Sequence, residues 1–107
     1  MTQGTPVTMM CSYRPKPGKE EELFALVQKH WPVLDRAGLV TKDPAIIYRA
    51  SDKRTNLVYF VEIFSWKDDK QSSVAHQLPE VMKIWEPMGP SLEGGGPQLA
   101  VLERVGG

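Results

Sequence analysis

A chain of 107 residues suits one domain, with a core that removes roughly 60% of the unfolded surface from water. Its 13 Lys and Arg balance 13 Asp and Glu in an interspersed pattern, so there is no one-signed field to attract nucleic acid or an anionic membrane. One cysteine, Cys11, makes neither an internal disulfide nor a thiolate metal cage and reads as a small core residue. The opening residues show no basic stretch leading into an apolar one, and no apolar run reaches membrane-spanning length; the expectation is a soluble, cytoplasmic protein.

In chain order, residues 1–5 are polar and expected to fray. Residues 6–14 alternate as a strand, with Val7, Met9, Cys11 and Tyr13 on one face and Thr8, Met10, Ser12 and Arg14 on the other. Pro15-Lys16-Pro17-Gly18 breaks that strand. Glu20, Glu21 and Glu22 then favour a helix start by meeting the positive end of its dipole. Leu23, Leu26, Val27, His30, Trp31 and Leu34 recur at helical spacing and form one apolar face. Pro32 inside this pattern is expected to kink the helix, and Gly38 to end it.

Residues 45–50, Ala-Ile-Ile-Tyr-Arg-Ala, are β-branched and aromatic enough for a second strand after the Asp43-Pro44 turn signal, and residues 52–56 make a polar hairpin loop. Residues 57–66 form a third strand whose two faces are both apolar, so both need cover. A second helical region begins near Asp68, with Asp68 and Gln71 spaced as a weak capping box, and Pro79 divides it in two. Val81, Ile84, Trp85 and Met88 share a face of the second piece, which Pro87, Pro90 and Gly94-Gly95-Gly96 are expected to end. Residues 98–105 complete a fourth strand before Gly106-Gly107.

The order βαββαβ predicts a ferredoxin-like α+β sandwich over residues 1–107, with strands one and three central and the charge-bearing strands two and four at the edges. Two helices cover one face of a four-stranded antiparallel sheet. The other face calls for a second copy of the chain, hence a homodimer.

Within the third strand Glu62 interrupts Leu-Val-Tyr-Phe-Val-Glu-Ile-Phe, and a carboxylate in so apolar a run needs a partner. His76, in Ala75-His76-Gln77 after the strand, is the expected one. Which face of the strand Glu62 occupies stays open, because both are apolar. The two histidines and scattered acids lack metal-ligand spacing, and the glycine triplet precedes a strand instead of opening a helix, so neither a metal nor a nucleotide cofactor is expected.

Lys16-Pro17-Gly18-Lys19 before the first helix, Glu62-x-Phe64-x-Trp66 at the end of the third strand, and Ala75-His76 with Pro79 beyond together resemble the antibiotic biosynthesis monooxygenase (ABM) domain. The resemblance implies a dimeric α/β barrel with one apolar pocket per subunit between sheet and helices. It further implies oxidation of a small aromatic or quinol-like substrate without metal, flavin or haem. Haem-degrading relatives carry an asparagine on strand one, a tryptophan about where His76 stands, and an axial histidine late in helix two. Cys11, Ser12 and Trp85 stand there instead, so haem breakdown is not implied, while haem-sized apolar ligands are not excluded.

On this reading His76 is a general base that takes a phenolic or activated C–H proton. Glu62 orients it and stabilises its imidazolium. Tyr13, Tyr48, Phe60, Phe64, Trp66 and Trp85 offer surface on which a planar substrate stacks. The residues leave other readings open: His76 as a structural histidine bonded to Glu62 or a backbone carbonyl, the aromatics as core, His30 as a pocket wall or a helix–sheet contact, and the whole protein as a non-catalytic ligand-binding or sensing dimer.

Overall fold

In a computed structural model that describes residues 4–106, a four-stranded antiparallel sheet carries three α-helices on one face. The expected fraying of residues 1–3 and 107 lies outside the described residues. The strands are β1 (Val7–Tyr13), β2 (Ile46–Ser51), β3 (Val58–Trp66) and β4 (Gln98–Leu102), in the order β2-β3-β1-β4. The two apolar strands are therefore central, and the charge-bearing strands lie at the edges, where Arg49 pairs with Glu20 of the first helix.

Helix α1 (Glu20–Arg36) buries Leu23, Val27, His30, Val33 and Leu34, the i, i+4, i+7 stripe that its periodicity dictates. It continues past Pro32, whose missing N–H frees only the carbonyl of exposed Gln28. Gly38 follows at φ 75°, the left-handed turn that glycine makes without Cβ strain. The second helical region splits at Pro79, as its sequence predicts, into α2 (Gln71–Ala75) and α3 (Pro79–Ser91). Asp68 takes the N–H of Lys70 and the side-chain amide of Gln71 ahead of α2.

Besides shifts of one to three residues elsewhere, α3 and β4 end where the sequence does not predict. Helix α3 runs through both Pro87 and Pro90 to Ser91. Residues four before each, Lys83 and Glu86, are exposed, so the carbonyls that the prolines leave unpaired sit on the solvent side. Strand β4 stops at Leu102 rather than 105, its last pairing with β1 being Leu102 with Thr8.

Register fixes which side chains meet. Cys11 pairs with Glu62 and Met9 with Phe64, while Tyr48 pairs with Val61 and Ile46 with Ile63. Even-numbered β3 residues Phe60, Glu62, Phe64 and Trp66 consequently join Cys11 and Tyr13 under the helices and are buried. Tyr59, Val61 and Ile63 share the opposite face with Met10, Ile46 and Tyr48. Among the described residues no element covers that face, and Ile46 and Tyr48 are 53% and 54% exposed. Among the described residues no helix is long and apolar enough to cross a membrane.

Candidate functional site

Glu62 is on the helix side and completely buried, but its partner is not His76. Its Oε1 accepts the Tyr13 hydroxyl at 2.7 Å and His30 Nδ1–H at 2.8 Å, while Oε2 has no partner among the described residues. His30 therefore carries its proton on Nδ1. Its other nitrogen, Nε2, lies 2.8 Å from the indole Nε1 of Trp85, and an indole N–H only donates, so Nε2 is a bare acceptor and the ring is neutral. One hydrogen-bonded chain thus links Tyr13 of β1, Glu62 of β3, His30 of α1 and Trp85 of α3.

The expected Glu62–His76 dyad is corrected by this geometry. His30 lies in the buried stripe of α1, directly over the sheet, whereas His76 is the residue just past α2, exposed at the edge of the helical layer. His76 turns its Nδ1 to the backbone carbonyl of Ser72, 2.8 Å away. A carbonyl only accepts, so Nδ1 bears a proton, and Nε2 has no protein partner among the described residues. The imidazole also packs edge-on against Trp85, ring centroids 4.7 Å apart.

Beside this chain lies an open cavity of about 250 Å³ between the sheet and α3. Tyr13, His30, Phe64, Trp66, His76 and Trp85 line it, together with Met9, Cys11, Met88, Leu92 and Leu99 and a rim of Ser72, Gly89 and Gly95 to Pro97. No Lys, Arg, Asp or Glu is in the lining. Phe64 packs edge-on against both Trp66 and His30, at 5.1 and 5.6 Å, so the aromatic wall is held from two sides. The residues that sequence reasoning assigned to a substrate surface separate accordingly. Tyr13, Phe64, Trp66 and Trp85 reach the cavity, and Glu62 stands behind it.

Two do not. Phe60 has the right parity but lies further along β3, where Phe24 stacks on it at 5.0 Å and 23°. Tyr48 pairs with Val61 and points to the uncovered face. Cys11, the sulfur-bearing Met9 and Met88, and the glycine rim are contributors that the sequence did not single out; their signal was faint, Cys11 and Met9 sharing only the strand parity of Tyr13. Among the described residues no cluster of three or more His, Cys, Asp or Glu side chains is arranged to hold a metal.

No protein-family model matches the chain, and no curated protein does. Solved structures match its fold. Rv0793 from Mycobacterium tuberculosis superposes with a TM-score of 0.71 at 14% identity, over 96% of this chain and 98% of that one. A provisionally named antibiotic biosynthesis monooxygenase from Bordetella bronchiseptica gives 0.68 at 18% identity, over 96% and 99% of the two chains. SnoaB from Streptomyces nogalater, described as a cofactor-independent oxygenase, gives 0.67 at 11% identity over 92% of each. The chain has the ferredoxin-like fold of the antibiotic biosynthesis monooxygenases.

The buried end of the cavity is a poor place for a new charge. Burial, and after it the charge of Glu62, pushes the Cys11 thiol up to about 12 from 9.0, against the smaller lowering effect of Tyr13. Burial and Glu62 likewise push the Tyr13 phenol up. A raised folded value means that the stability Cys11 contributes is complete below pH 9 and is lost as pH climbs from 9 toward 12, because the unfolded thiol ionises first. Urea unfolding at pH 8 and pH 10 is expected to show the native chain losing about 1 kcal/mol more than Cys11→Ala over that interval; equal losses would place the thiol in contact with water.

Proposed function

We propose that the chain belongs to the antibiotic biosynthesis monooxygenases and oxidises a small, neutral, hydroxylated aromatic or quinol-like substrate without a cofactor, with His76 as the base. The observation that carries this is the contrast between the two histidines. His30 has both nitrogens committed to protein partners, whereas His76, at the cavity wall, has its proton held on Nδ1 by Ser72 and its Nε2 free to accept one. The likeness of fold to SnoaB supports the reaction class.

Deprotonation of an activated CH2 or phenol by Nε2 yields an anion whose electrons pass to dioxygen. A C–O bond forms, the protonated His76 returns its proton to the peroxide, and loss of water leaves a carbonyl: CH2 plus O2 gives C=O plus H2O. The apolar wall assists by removing water from the anion and by holding it flat against Phe64, Trp66 and Trp85. A lining without formal charge favours neutral substrates over carboxylate-bearing ones, whose desolvation nothing here offsets.

Oxygen consumption with anthrone, and with hydroquinones with and without a carboxylate, tests this. His76→Ala is expected to lose 10²–10⁴-fold in turnover while melting like the native protein, because the side chain is exposed and keeps a single local bond. Full turnover in His76→Ala, or tight ligand binding with no oxygen consumption by the native protein, would refute the catalytic reading and leave a ligand-binding domain.

The same reading includes a homodimer through the uncovered sheet face, where Met10, Ile46, Tyr48, Val61 and Ile63 form an apolar surface that a second copy would match by two-fold symmetry. Sedimentation at micromolar concentration is expected to give a dimer that Tyr48→Glu shifts toward monomer; a monomeric native chain contradicts it.

A further inference from the structure

His76 is held to α2 by one bond to Ser72, and its other neighbour of known geometry is the Trp85 ring. The imidazole is thus held at Nδ1 by the Ser72 carbonyl and at its side by the Trp85 ring, and a displaced Trp85 gives it room to turn on its one anchor. Trp85 is half-buried on α3 and is fixed by the bond from its indole N–H to His30 Nε2. That bond exists only in one tautomer of His30. Protonation at Nε2 would set two N–H groups against each other, and what keeps the proton on Nδ1 is Glu62 Oε1. Glu62 in turn is steadied by the Tyr13 hydroxyl.

We propose that Tyr13, Glu62 and His30 are positioning residues: a buried chain that sets the tautomer of His30, thereby the placement of Trp85, and through that ring the direction in which His76 presents its free nitrogen to the cavity. The argument needs the chain to be polar. Leucine side chains at these positions would fill the space between sheet and helices, but would leave the indole N–H without an acceptor and the ring free to turn. The effect on turnover rests on His76 being the base, whereas the effect on ring placement does not.

The test follows the His76 ring resonances by NMR, since an aromatic ring at 4.7 Å shifts them by its ring current. His30→Leu removes the acceptor. Trp85→Phe retains an aromatic ring but has no N–H. His30→Leu is expected to move the His76 signals from their native positions and to lower kcat on anthrone about 10-fold with little change in KM; in the Trp85→Phe background, where the indole–imidazole bond is already gone, the same change is expected to add little to either. His30→Gln, with one donor and one acceptor about as far apart as the two ring nitrogens, is expected to restore the native His76 signals and most of kcat.

Native His76 signals in folded His30→Leu, or additive losses in the double variant, would overturn the proposal. Should His30→Leu fail to fold, His30→Ala against His30→Gln carries the same decision, since one lacks and the other keeps an acceptor for the indole N–H. Displaced signals in a protein whose turnover does not need His76 would uphold the positioning chain and reject the base, so the two readings fail separately.

Discussion

A single carboxylate oxygen, buried without access to water, is the junction of this molecule. Glu62 Oε1 receives a phenol from β1 and an imidazole from α1, and that imidazole receives an indole from α3. Three elements distant in sequence are thereby tied to the centre of β3. Burying such a group is costly unless its hydrogen-bonding capacity is met, and removing one member leaves the others unsatisfied in an apolar setting. The helices consequently have little freedom to slide over the sheet, which is what a cavity between them requires if its walls are to keep their shape.

The cavity and the buried chain divide the work. On the cavity side are rings, sulfur and glycine, with no formal charge, a surface suited to a flat neutral molecule. Behind it are the groups that hold those rings in place. His76, at the edge, is not bonded into the chain but touches it through Trp85, with its own anchor on Ser72 and its outward nitrogen unengaged. The two histidines differ in exposure, in partners and in what they can do, although residue type alone makes them equivalent.

Strand and helix periodicity, with the proline and glycine punctuation, makes most of the architecture readable in the sequence: the βαββαβ order, the central place of the two most apolar strands, the split at Pro79. The need of Glu62 for a partner was readable too. Its identity was not, because His76 follows β3 closely in sequence, whereas His30 lies 32 residues earlier and reaches Glu62 only once α1 packs across the sheet. A signal was nevertheless present. His30 occupies the same helical stripe as Leu23, Val27 and Leu34, and a polar residue in a core stripe has the same need as a carboxylate in an apolar strand; two such needs point to each other. The face on which Glu62 lies could not be derived from a strand apolar on both sides, and Tyr48 was placed near the site for the same reason. Helix α3 outlasted its prolines because its solvent side tolerates unpaired carbonyls, a circumstance of tertiary burial that local sequence does not encode.

The most direct test of the central arrangement is the protonation pattern of the imidazole nitrogens, read from long-range proton–nitrogen NMR correlations of the native protein at neutral pH. The arrangement predicts that His30 holds its proton on Nδ1 and leaves Nε2 bare. A His30 protonated at Nε2, or at both nitrogens, would contradict it.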